Sequence, residues 1–127
     1  MRTSIVPHTE VIFYKEGDEI PIRGWLTSLP PKAARKCLLY LDMLEQQGHA
    51  VRRPIADFLR DGIYELRPSF QGLNYRILYF FSGRNVVVVS HGIVKESGVP
   101  EMEIDQAIRR KQSFEAAPET HTYRRSQ

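Results

Sequence analysis

The chain has one cysteine, Cys37, which excludes a disulfide framework and a cysteine-rich zinc cluster. Stability must then come from packing, with Cys37 as a reduced core thiol. No apolar run approaches the roughly 20 residues that span a bilayer, and the opening MRTSIVPHTE has no apolar signal-peptide core. The expectation is a soluble cytoplasmic protein. The motifs GxGxxG, GxxxxGK[ST] and GxSxG are missing, which removes the usual grounds for dinucleotide binding, nucleotide hydrolysis and α/β-hydrolase chemistry. The four histidines (His8, His49, His91 and His121) are scattered without metal-ligand spacing, and HExxH does not occur. No metal and no cofactor is expected, and no internal repeat is found.

What is present suits one small folded unit. The 127 residues are 42% hydrophobic and 26% charged, enough apolar material for a single core spanning 1–127. The formal charge of +3 is unevenly spread: −2 over 1–22, +6 over 23–95 (11 basic, 5 acidic), −4 over 96–108 and +3 over 109–127. A basic middle flanked by acidic segments attracts polyanions, because each neutralised phosphate releases condensed counterions. It is equally compatible with an ordinary solvated surface.

The pattern predicts an α+β fold. Val11-Ile12-Phe13-Tyr14 reads as a first strand ending at the turn Lys15-Glu16-Gly17-Asp18. Pro21 opens a short helix with Ile22, Trp25, Leu26 and Leu29 on one side, stopped by Pro30-Pro31. A second helix carries Ala34, Cys37, Leu38, Leu41 and Leu44 and ends at Gly48. The β-rich runs 62–67, 73–81 and 84–91 then form an antiparallel meander. Pro100 precedes a last helix whose first turn holds Glu101, Glu103 and Asp105, acids that favour the positive end of the helix dipole. The expected architecture is a four-stranded antiparallel sheet with a helical hairpin on one side, a C-terminal helix, and a loose basic tail over 115–127.

A two-residue Ser82-Gly83 turn sets the strand register: Phe81 opposite Arg84, Arg76 opposite Val89, Asn74 opposite His91. One side then carries Tyr75, Ile77, Tyr79, Phe81, Val86 and Val88 for the helices. The other carries Asn74, Arg76, Leu78, Val87, Val89 and His91, left open by a two-layer domain. Which side Glu65 and Arg67 take is left open by the loop 68–72. Each polar residue has a structural alternative: Arg67 and Arg76 pairing with Glu65 or Asp61, His91 bonding a carbonyl, Lys95 solvated. Their convergence, two arginines, a histidine and a lysine at one end of an apolar meander, points instead to a phosphate-binding site, since like charges repel without a polyanionic partner.

The run L-x-D-G-I-Y-E-L-R (Leu59 to Arg67), then N-Y-R-I-L-Y-F-F (Asn74 to Phe81), V-V-V-S-H-G-I-V-K (Val87 to Lys95) and Pro100 before a helix with Arg109-Arg110 resembles the RelE/HigB toxin superfamily. The likeness is greatest to its phage-derived HigB-like branch and covers about residues 10–115. It implies a RelE-like, microbial-RNase-like fold and a ribosome-dependent mRNA endonuclease (mRNA interferase) that needs no metal. Such a protein is the toxin of a type II toxin–antitoxin pair, inhibits translation, and is neutralised by a cognate helix-turn-helix antitoxin. On this resemblance Arg76 stabilises the phosphorane, Lys95 binds phosphate or leaving group, Arg67 assists or braces the sheet, and His91 serves as general acid or base. Asn74, Arg84, Arg109, Arg110 and Lys111 would bind RNA. The chain departs from the branch after His91, with Ile93 where Phe is usual and Glu96-Ser97-Gly98 where further positive charge is usual. The alternative is a non-catalytic RNA- or partner-binding relative of phage origin.

Overall fold

The computed structural model describes residues 9–95 and 97–125. Glu96, singled out above, lies outside the described residues. Along the chain run β1 (Glu10–Tyr14), α1 (Pro21–Ser28), α2 (Pro31–Gln47), β2 (Ala56–Arg60), β3 (Ile63–Leu66), β4 (Ser69–Phe70), β5 (Leu73–Ser82), β6 (Val86–Lys95), α3 (Glu101–Ala116) and β7 (Thr122–Arg124). Both early helices begin at a proline, whose fixed φ suits the first helical turn and whose missing N–H is unneeded there.

The fold is mixed α+β, but its sheet is larger than four strands. The strand order is β2-β3-β5-β6-β1-β7, with β4 paired to β5. β1 lies parallel to β6, so the sheet is not purely antiparallel. The chain leaves β1, crosses through α1 and α2 to the far edge at β2, and the meander brings β6 back beside β1. The segment expected as a loose tail is also structured: 115–125 finishes α3, makes a 3-10 turn at Pro118–His121 and adds β7 antiparallel to β1.

Helices cover both faces of the sheet. On one, Ile22 of α1 and Ala33, Cys37, Leu41 and Leu44 of α2 pack on Val11, Phe13, Tyr75, Ile77, Tyr79, Val87 and Val89. The α2 stripe thus starts at Ala33 rather than Ala34, and Leu38, expected within it, is 41% exposed. Burial pushes the Cys37 thiol up to about 11, so it stays protonated as a core group. On the other face Ile104, Ala107 and Phe114 of α3 cover Ile12, Tyr14, Ile63, Leu78, Phe80 and Val88. The second surface, expected open, is therefore covered in part by α3.

The hairpin register differs from the expected one. Ser82 pairs with Val86 across a three-residue turn, so Phe81 faces Val87 and Tyr79 faces Val89. Val87 and Val89 consequently pack under α1 and α2, and Val86 and Val88 turn to α3, the reverse of the expectation. A register irregularity follows at Ser90, where Leu78 faces His91 while the neighbouring Tyr79 faces Val89. The extra residue reverses the alternation a second time. His91 thereby shares a face with Arg76, although Arg76 pairs with Ile93, and Asn74 with Lys95.

Candidate functional site

Strand alternation brings the ends of three strands together on the α3 face beyond that helix. Glu65 of β3 lies opposite Leu78, Arg76 stands two residues from Leu78 along β5, and Lys95 closes β6 opposite Asn74. Glu65 and Arg76 are 4% and 5% exposed. Arg67 donates from Nη1 to Glu65 Oε2 at 2.7 Å, while Arg76 Nε stands 3.2 Å from Glu65 Oε1. The second contact is an ion pair without hydrogen-bond alignment, for neither atom has a hydrogen-bond partner among the described residues. Arg76 Nη1 donates to the Tyr75 carbonyl at 2.8 Å. Lys95 Nζ donates to the Ser97 carbonyl.

Three cations thus gather about one carboxylate, and they interact. Burial first, then the like charge of Arg67, pulls the Arg76 guanidinium below its ordinary pKa, with Glu65 opposing. Lys95 is likewise lowered by its partial desolvation and by Arg76. Beside them Arg53 donates to Asp57 at 2.8 Å and holds that carboxyl below its usual value. The cluster keeps a positive excess, with Arg76 buried and Arg67 and Lys95 half-buried at its margin, and positive excess is what an anion requires.

His91 shares this face but bonds elsewhere. Its Nε2 lies 2.9 Å from Glu103 Oε1 of α3, and its Nδ1 lies 2.8 Å from Ser90 Oγ and 3.1 Å from Arg110 Nη1. The arrangement fits a neutral ring that donates from Nε2 and accepts at Nδ1, an assignment taken from the network. Burial lowers its pKa; the Glu103 hydrogen bond opposes this and the Arg110 charge adds to it. The single pocket uniting His91 with Arg76 is not what the fold builds. Residue His91 belongs to a second cluster under α3.

The remaining candidates are dispersed. Arg84 is exposed in the β5–β6 turn, at the other end of that hairpin from Asn74 and Lys95. Arg109 is exposed and donates to Gln106 Oε1 at 2.8 Å. Arg110 reaches Ser90 and His91, while Lys111 pairs with Glu115 at 3.2 Å and lies against Gly62 in the β2–β3 turn. Arg109 and Arg110 both border one cleft between α1 and α3, which Lys111, turned toward Glu115 and Gly62, does not line. Glu65 and Glu103 are the site residues sequence reasoning did not assign. Glu65 was hidden by the unknown side of β3, and Glu103 was fully accounted for as a helix-start acid.

Among the described residues no group of three or more His, Cys, Asp or Glu side chains is placed to hold a metal ion. No helix among them is long and apolar enough to cross a membrane. No curated protein matches the chain. Residues 24–112, from within α1 to within α3 and including every cluster above, match the family model described as Phage derived protein Gp49-like (DUF891). That match takes in most of the chain, which therefore belongs to the Gp49-like family of phage-derived proteins, a family associated with RelE-like toxins of toxin–antitoxin systems.

Proposed function

We propose that this chain is the toxin of a type II toxin–antitoxin pair and acts as a ribosome-dependent mRNA endonuclease. The observation that carries this reading is the Arg67–Glu65–Arg76 group beside Lys95. In the reaction a ribose 2′-OH attacks the adjacent phosphorus and gives up its proton. The P–O5′ bond breaks, O5′ takes a proton, and a 2′,3′-cyclic phosphate and a 5′-OH end result. Arg76 and Arg67 stabilise the charge growing on the phosphorane oxygens, where a preorganised donor is worth on the order of 10² in rate. Lys95, half-buried where Arg76 is buried, binds the phosphate or the leaving oxygen. His91 is the imidazole on this face, its pKa lowered by burial, and its proton transfer requires release from Glu103 or Arg110.

The closing-in of Arg76 by Glu65 favours a second reading, RNA binding without cleavage, because no acid–base ring bonds to the arginine group. One experiment separates the two. The wild-type chain and Lys95→Ala are induced in a bacterial host lacking any cognate antitoxin, with growth and the ends of ribosome-bound messages followed. Arrest with new message ends, lost on the order of 10²-fold in Lys95→Ala, supports the toxin. Undisturbed growth with salt-dependent RNA binding supports the binding module, and the lack of both defeats both readings.

A further inference from the structure

The second cluster holds a cation with no ion-pair partner in direct contact among the described residues, Glu16 and Glu103 acting on it only through space. Arg110 is half-buried, its guanidinium carbon 5.6 Å from the centre of the Tyr14 ring. Its hydrogen bonds go to neutral groups, Ser90 Oγ at 3.2 Å and His91 Nδ1 at 3.1 Å. Among the described residues no carboxylate stands within 4 Å of it, and its buried Nε has no partner at all. Glu103, the nearest acid on α3, is committed to His91 Nε2. A guanidinium taken out of water is costly unless paired, and five donors on a rigid fork fit a tetrahedral oxyanion.

The space for such an anion is there. A cleft of about 350 Å3 between the start of α1 and α3 is lined by Pro21, His91, Met102, Glu103, Gln106, Arg109 and Arg110. Arg109 brings a second, exposed guanidinium to its rim, where it donates to Gln106. Gln106 uses its carbonyl oxygen on Arg109, which leaves its amide N–H groups for a ligand. Within the cleft Glu103 is the one acid lining residue, against two arginines.

We propose that this cleft is a phosphate-binding site, with Arg109 and Arg110 as its ligands and Gln106 as an additional donor. It is distinct from the Arg76 group. Along β6 Lys95 and His91 are four residues apart, a span of about 13 Å, with Ile93 between them on the same face. A phosphate held here comes either as a small free phosphate or as one link of an RNA strand that also meets Lys95. The site does not depend on cleavage, and a chain without any effect on growth can still possess it.

The test is NMR on the full chain, following the Arg110 Nε–H signal, the His91 ring and the Lys95 side chain. Inorganic phosphate is titrated against chloride at constant ionic strength, and a five-nucleotide single-stranded RNA is titrated in parallel. The proposal expects saturable shifts at Arg110 and His91 with phosphate, RNA or both, weakened about fivefold or more in Arg109→Ala, whose exposed side chain is not needed for folding. Arg110→Lys, which loses the fork but keeps the charge, is expected to weaken binding as much. Lys95→Ala leaves the phosphate titration at Arg110 unchanged. Shifts at Lys95 together with Arg110 under RNA identify a strand as the source, and shifts with phosphate alone identify a free ligand. Linear or chloride-like changes at Arg110 with both probes, or full binding in Arg109→Ala, overturn the site whatever the growth assay gives.

Discussion

His91 of β6 and Glu103 of α3 are joined Nε2 to Oε1 at 2.9 Å, a polar tie beside the apolar contacts that Ile104, Ala107 and Phe114 make with the sheet. Ser90 and Arg110 occupy the other ring nitrogen, so a proton added to Nδ1 must displace the Arg110 donor and turn the Ser90 hydroxyl into an acceptor. Burial lowers the folded-state pKa of His91 below its ordinary value near 6.5. The unfolded chain then binds the proton more readily, and the stability the neutral ring contributes is complete above about pH 6.5 and lost as pH falls through the folded value. Denaturant midpoints measured from pH 5 to pH 8 are expected to rise with pH up to about 7, and His91→Gln to flatten that rise. An unchanged slope in the variant removes His91 as the titrating group.

Glu65 is expected to be the substitution to which the arginine group is most sensitive. Removing a buried partner leaves a charge uncompensated, at a cost of about 3–5 kcal/mol, more than the intact pair contributes. In Glu65→Ala both Arg67 and Arg76 lose their counter-ion. Glu65→Gln keeps an acceptor for Arg67 and is expected to cost about half as much. Urea unfolding of the two variants measures the difference, and equal losses would mean that shape rather than charge matters at this position.

The parts of this fold that local pattern controls were legible in the sequence: the two proline-started helices, the meander and the acid-rich start of α3. Long-range pairing was not. β2 carries the alternation of Ala56, Asp57 and Phe58 with Phe58 exposed, too polar and short to stand out, and β7 has only three residues whose partner β1 lies over a hundred positions away. The parallel placement of β1 against β6 leaves no local signal either. The two sides of β6 were exchanged for Val86 to Val89 because a three-residue turn slips the register by one step. Ser90 then restores the alternation, so His91 and Arg76 share a face on a path the turn alone does not describe. The site was legible as residue types, but which carboxylate meets which cation depends on β3 and α3 meeting β5 and β6.

Gly92 faces Ile77 on the side of α1, where a Cβ on it would stand 2.3 Å from Cε3 of Trp25. The close approach, rather than any unusual backbone angle, is the reason for glycine here. Trp25 in turn packs edge-on against Tyr75 at 6.1 Å between ring centres, so it has little room to withdraw. Gly92→Ala is expected to destabilise by about 1–3 kcal/mol through overpacking. Adding Trp25→Leu should recover part of that loss, an interaction read from a double-mutant cycle of urea midpoints. Additive losses would show that the indole is not what the methyl group meets.

β7 shields an edge of the sheet. Phe13 of β1 stacks on Tyr123 at 6.3 Å, Arg23 of α1 donates to the Tyr123 hydroxyl at 3.1 Å, and Arg125 reaches Asp42 and Glu45 of α2 at 2.6 and 3.0 Å. The ion pairs lie on partly exposed carboxylates and contribute only about 0–1 kcal/mol each. The ring is the larger contributor, at about 2 kcal/mol for covering apolar surface of Val11 and Phe13. Tyr123→Ala is therefore expected to cost more than Arg125→Ala, and deletion of 122–127 to cost most, because it also uncovers the unpaired β1 edge. Thermal unfolding ranks the three. If Arg125→Ala proves as damaging as the deletion, the strand is held by charge, and the protection of β1 by the Tyr123 ring is refuted.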